Sequence, residues 1–160
     1  FFSKAIGKKV EYNSQYSDRY SGSGLLTLVD GLTGSIAHND NYWQGWHKDD
    51  MDVTIDLSKV ESISRVSMGF LESHGSWIFL PTRVIVSFSD DGISYEKQIE
   101  IQVTDGKNGG PANRVECESE NLSVSARFVR VRALNRKKCP LWHPGSGGKT
   151  WVFSDEIIIE

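Results

Sequence analysis

Residues 51–57 read Met51-Asp52-Val53-Thr54-Ile55-Asp56-Leu57. Apolar and polar side chains alternate without a break, so Met51, Val53, Ile55 and Leu57 fall on one face of an extended chain. A helix would scatter them around its axis. This stretch is therefore read as a strand with one side in a core.

The same period recurs on both sides of it. Val84, Val86 and Phe88 alternate, and the run stops at Ser89-Asp90-Asp91-Gly92, a turn signal feeding a further strand from Tyr95 to Val103. Val129 and Val131 alternate with Arg130 and Arg132. Ile63 to Leu71 and Trp151 to Ile159 are also read as strands, with a weaker one at Val10 to Tyr12. No segment has the pattern of a long amphipathic helix. Spaced strands separated by turns predict an all-β sandwich or barrel.

At 160 residues the chain is read as a single domain over 1–160, large enough to bury a core. It opens at Phe1-Phe2 without a methionine, and we expect it to be the C-terminal part of a larger protein. The net charge is −3, which gives no basic surface for nucleic acid. No apolar run is long enough to insert in a membrane, and no secretory leader is recognisable. Cys117 and Cys139 form no metal motif with the four histidines. Their positions leave two outcomes open, a disulfide in an oxidising compartment or two buried thiols.

Gly145-Ser146-Gly147-Gly148-Lys149-Thr150 looks like half of a phosphate-binding loop. The complete motif needs a glycine at position 143, which is His143, and a helix after the lysine. Trp151-Val152-Phe153 reads as strand instead, so nucleotide binding is excluded. Catalysis finds no support either. Asp49-Asp50 and Asp90-Asp91 are neighbours that a strand would point to opposite faces, and no nucleophile elbow is present.

Three of the predicted connections each combine tryptophan with histidine: Trp43, Trp46 and His47; His74 and Trp77; Trp142 and His143. Large aromatics often plug the ends of a sandwich core. Repeated pairing with Gln44, Glu72 and histidines points to a ligand with an apolar face and polar edges. A pyranose has both, because its C–H face packs on an aromatic ring and its hydroxyls need directional partners.

The chain resembles the discoidin or coagulation-factor type C superfamily, and within it the family 32 carbohydrate-binding modules. The resemblance runs along nearly the whole chain. It rests on Leu28-Val29-Asp30-Gly31, on Trp43-Gln44-Gly45-Trp46 and on Asp52 to Leu57. Ser87 to Gly92, Ala126 to Arg132 and Asp155 to Ile159 extend it. Trp77 to Pro81 and Cys139 to Lys149 are similar to C-terminal modules appended to β-hexosaminidases and other exo-glycosidases of Bacteroidetes.

The resemblance implies a galactose-binding-domain-like jelly roll of about eight antiparallel strands. It implies a structural Ca2+ held by Asp30, Leu32 (through its carbonyl), Ser35 and Glu156. Leu32 replaces a usual aspartate of the family pattern, and Ser35 a threonine. It implies a glycan site built from Gln44, Trp46, Glu72, His74, Trp77, Trp142 and His143. Gln44, Glu72 and His74 depart from the residues that galactose binders of the family use, so the sugar is left open. The expected role is a non-catalytic module holding a glycoside hydrolase near glycans in a secreted, periplasmic or cell-surface setting. The alternative is an interaction module packed on the catalytic domain. A phospholipid or protein adhesion role comes third, because no clear basic spike is present and Arg136-Lys137-Lys138 reads as a solvated turn.

Overall fold

The computed structural model describes residues 2–160. Nine strands form two antiparallel sheets among them. They are β1 (Lys9–Tyr12), β2 (Gln44–His47), β3 (Met51–Ile63), β4 (Val66–Glu72), β5 (Val84–Ser89), β6 (Lys97–Ile101), β7 (Asn113–Glu118), β8 (Val124–Ala133) and β9 (Trp151–Ile159). One sheet has the order β1-β3-β8-β5-β6, the other β2-β9-β4-β7. This is the expected jelly-roll sandwich, with nine strands in place of about eight.

The alternation at residues 51–57 holds. Met51, Val53, Ile55 and Leu57 are fully buried between the sheets. Asp52 and Asp56 point outward, where Arg130 and Arg127 grip them with paired hydrogen bonds of 2.7 to 3.0 Å. The strand runs past its expected end. Ser58 takes a left-handed φ of 76°, the pairing with β8 shifts register between Asp56 and Glu61, and the chain continues to Ile63. The single strand expected from Ile63 to Leu71 is instead broken at Ser64-Arg65, and β6 begins two residues after Tyr95. Two strands escaped the sequence reading altogether. β2 has no β-branched residue, and β7 alternates only Val115 and Cys117 among polar neighbours. Both lie at sheet edges, where pairing with one neighbour supplies what side-chain pattern does not.

Strand β9 carries a bulge. Met68 pairs with Ile157 and Phe70 with Ser154, so three steps on β9 answer two on β4. The extra residue re-aims side chains that would otherwise alternate. As a result Asp155 and Glu156 both reach the loop at positions 31–34, accepting hydrogen bonds from Gly34 N at 2.8 Å and Gly31 N at 2.9 Å.

The cysteines are free and buried, which decides the open question against pairing. Burial pushes the Cys117 thiol up to about 11, so it behaves as a small apolar residue.

Candidate functional site

One pole of the sandwich is built from the turn after β4, the loop 105–110 and the loop 139–148. After β4 the chain makes a short 3-10 turn, His74–Ser76, and Trp77 follows with φ of 64°. Trp77 is tied to the start of β9, since Trp151 N donates to its carbonyl at 2.9 Å. The loop 139–148 closes on itself through Cys139 N to Gly148 O and Gly147 N to Cys139 O, at 2.7 and 3.0 Å. Gly145 and Gly148 lie flat under the Trp77 indole, and a Cβ at either position would strike the ring.

The two histidines are structural. His143 is buried, its Nδ1 accepts from Gly145 N at 2.9 Å, and its Nε2 therefore carries the proton and donates to His74 O at 2.6 Å. His74 Nδ1 accepts from Gly109 N at 3.0 Å, and its Nε2 lies 3.4 Å from Glu72 Oε2. Glu72 in turn accepts from Gly106 N at 3.1 and 3.2 Å. Glu72 and His74 thus pin the loop 105–110 to the pole. The His74 ring stacks on Phe79 with centroids 4.6 Å apart.

Trp142 packs edge-on against His74 at 5.1 Å and remains 40% exposed; Trp77 is 39% exposed. Beside Trp142 is a cavity of about 120 Å³ lined by His74, Phe79, Asp105, Asn108, Arg136 and Trp142. Arg136 donates to Asp105 at 3.1 Å and lies 5.5 Å over the Phe79 ring. Its Nε is buried without a partner among the described residues.

Five of the seven expected sugar contacts thus come together: Glu72, His74, Trp77, Trp142 and His143. Of these, only the two tryptophans present substantial surface to solvent. Gln44 and Trp46 are corrected by the structure. Both are fully buried in β2. Gln44 donates to Gly24 O at 2.9 Å and accepts from Tyr12 OH at 3.1 Å. The Tyr12 phenol is pushed up to about 12, mainly by burial. Trp46 packs on Tyr16 within the main core and donates to Ser14 O. The segment 13–25 covers this edge of the sheet, and no ligand reaches either side chain. Trp43 is buried in a second apolar cluster with Leu71, Ile78 and Phe153.

Asp105, Asn108 and Arg136 were missed. Arg136 lies in a run of three basic residues that reads as a solvated turn, and Asp105 and Asn108 lie in a glycine-rich connection without periodicity.

The expected metal residues lie where the loop at positions 30–35 meets β9. Glu156 is fully buried, and its Oε1 has no partner among the described residues. Burial, with Asp30 and Asp155 nearby, pushes its carboxyl up to about 9. Asp30 Oδ1 accepts from Leu32 N at 2.9 Å, and the Leu32 side chain points to solvent. The Ser35 hydroxyl donates to Asp40 at 2.7 Å, and its carbonyl accepts from Trp43 Nε1 at 2.9 Å. Asp30 and Glu156, through its orphaned Oε1, therefore fit a cation, whereas the Ser35 hydroxyl is committed to Asp40. No group of three His, Cys, Asp or Glu side chains placed to hold a metal occurs among the described residues, so backbone carbonyls would have to complete any site.

Comparison with known proteins agrees with this architecture. The chain is similar to the lectin-binding domain of lectinolysin in complex with Lewis b, with a TM-score of 0.63, 15% identity, and coverage of 99% of this chain and 95% of that one. It is similar to a Streptococcus pneumoniae fucose binding module, with a TM-score of 0.59, 14% identity, and coverage of 99% and 94%. The Clostridium perfringens module CpGH89CBM32-5, in complex with GalNAc-β-1,3-galactose, gives a TM-score of 0.57 at 17% identity, covering 99% of both chains. No curated protein sequence gives a significant match. The sequence profile of the F5/8 type C domain matches residues 9–152, and the chain belongs to that family.

Proposed function

We propose that this domain is a non-catalytic carbohydrate-binding module that takes a sugar at the Trp142 pole. The observation that carries this reading is the meeting of a half-exposed Trp142 ring with Arg136, Asp105 and Asn108 in one small cavity. The ring offers a platform for a pyranose C–H face. Arg136 and Asn108 supply donors and Asp105 an acceptor for hydroxyls at its edge. Glu72, His74 and His143 act one step back, fixing the loops that carry those groups. Similar solved domains bind Lewis b and GalNAc-β-1,3-galactose, and that likeness supports a glycan as ligand.

Calcium belongs to the same proposal. Asp30 and Glu156 would supply carboxylate oxygens, and the ion would neutralise charge crowded under the loop at positions 30–34. A shallow site of this kind binds in about the millimolar to micromolar range. Its use is to hold a glycoside hydrolase near glycans outside the cytoplasm, raising effective concentration rather than doing chemistry.

One observation favours a second reading. Leu141 stands 95% exposed beside Trp142, an apolar tip suited to packing on a neighbouring domain. Glycan-array screening followed by calorimetric titration separates the two. Saturable binding of a sugar, lost in Trp142→Ala, establishes the module; no response of the wild type to any glycan removes it.

A further inference from the structure

The outer face of the five-stranded sheet has a second concavity, which shares no residue with the Trp142 cavity and is larger than it. It has a volume of about 420 Å³ and is lined by Glu11, Asn13, Asp52, Thr54, Gly92, Tyr95, Phe128 and Arg130. Small-ligand pockets span about 300–1,000 Å³, so this one is of the right size.

The strand register explains how the floor arises. Glu11 pairs with Thr54, and Thr54 with Arg130, which makes one row across β1, β3 and β8. The connection from β5 to β6 supplies the wall. Gly92, with φ of 76°, settles against the Phe128 ring, where a Cβ would press at 3.2 Å. That close approach brings Tyr95 over the row.

The floor is preorganised. Arg130 holds Asp52 through Nε and Nη2, at 3.0 and 2.7 Å. Asn13 Nδ2 donates to Asp52 Oδ1 at 3.1 Å and to Thr54 Oγ1 at 3.0 Å. These bonds leave the Asn13 carbonyl oxygen and Arg130 Nη1 for a ligand. Glu11 is exposed and takes no part in the ion pairs of this face, which join Arg127 to Asp56 and Arg130 to Asp52. Fixed donors and acceptors at the edge of an aromatic wall suit vicinal hydroxyls. An anion would meet the carboxylates of Glu11 and Asp52. A purely apolar ligand would strand the charged floor.

We propose that this face is a second saccharide site, taking one neutral pyranose with two adjacent hydroxyls between Glu11 and Arg130 and its ring against Tyr95. It shares the ligand class proposed for the Trp142 pole but none of its residues.

The test is an amide and arginine-Nε NMR titration of the Trp142→Ala protein, in which the pole is disabled. The probes are the methyl glycosides of glucose, galactose, mannose, N-acetylglucosamine and fucose, each raised to about 50 mM, above the millimolar range of a shallow site. The expected result is a saturable shift of the Thr54, Tyr95 and Arg130 signals with at least one probe. Tyr95→Ala and, separately, Glu11→Ala should weaken that response about tenfold or more, as loss of a wall or of a paired acceptor does. If none of the five probes moves these signals, the inference is overturned, whatever the wild-type pole does. If the sheet-face signals respond while the wild-type pole signals do not, the pole reading fails and this one stands.

Discussion

Thr150 Oγ1 donates to Asn135 Oδ1 at 2.7 Å, in the buried corner where β8 leaves its sheet and β9 enters the other. The same carboxamide accepts from Lys137 N at 2.8 Å, and its Nδ2 lies 3.0 to 3.3 Å from the carbonyls of Asp49, Trp46 and Thr150. One side chain therefore ties β2, the turn before β3, and the loop carrying Trp142. Asn135→Ala strands several buried polar groups and should cost about 2–4 kcal/mol. Thermal unfolding should show a lower midpoint by about 2–4 °C per kcal/mol.

Trp142→Ala should abolish the glycan response at the pole with little change in stability, because the ring is 40% exposed. Arg136→Ala should weaken binding about tenfold, the loss expected when one charged hydrogen-bond donor is removed. Calorimetry with a glycan found by array screening checks both; unchanged affinity in either variant removes that residue from the site.

Calcium should raise the unfolding midpoint. At a concentration of about 100 times its dissociation constant the gain is about 2.7 kcal/mol. For a chain of this size that is about 5–10 °C. Glu156→Gln should erase the difference between calcium and chelator. Superimposable melts of the wild type in calcium and in EDTA would remove the ion from the account.

Acid should destabilise the outer sheet face first. Burial tends to raise the Asp52 carboxyl, but hydrogen bonds from Arg130 and Asn13 outweigh it and hold it below its ordinary value of 3.8. Hydrogen bonds from Arg127, against a smaller effect of burial, lower Asp56 in the same way. A lowered folded-state value means that the stabilisation is complete above 3.8 and disappears as pH falls through the folded value. Asp52→Asn should cost about 1–3 kcal/mol at neutral pH. Urea unfolding of this variant should then depend less on pH below 4 than that of the wild type.

Gly148→Ala should push the Trp77 indole off the loop 139–148, at a cost of about 1–3 kcal/mol. Combining it with Trp77→Ala should recover part of that loss, since the two sites are in contact. Strict additivity in the double-mutant cycle would show that the glycines are there for another reason.

Regular alternation made most of the fold legible before any coordinates. Met51 to Leu57 could be assigned to a core face because every second residue is apolar. β2 and β7 could not, because an edge strand is held by one partner and its own side chains need not announce it. Of the three stretches in which tryptophan stands near histidine, those at 74–77 and 142–143 meet at one pole, whereas the one holding Trp43 and Trp46 is buried. Composition could not say which way a ring turns, so Trp46, in a Gln-Gly-Trp-His stretch, looked as available as Trp142. Arg136 was hidden for the opposite reason. A basic residue between loops usually points to water, and only its packing on Phe79 and its bond to Asp105 bring it into a pocket.

Burial divides four of the five indoles into two optical populations, with Trp151 half-buried between them. Trp43 and Trp46 are sealed from water, whereas Trp77 and Trp142 lie partly open at one pole. An aqueous quencher such as acrylamide should therefore dim only the red-shifted part of the emission. A molecule settling on that pole would shield the same fraction, so the protein carries its own spectroscopic gauge of occupancy and needs no attached dye.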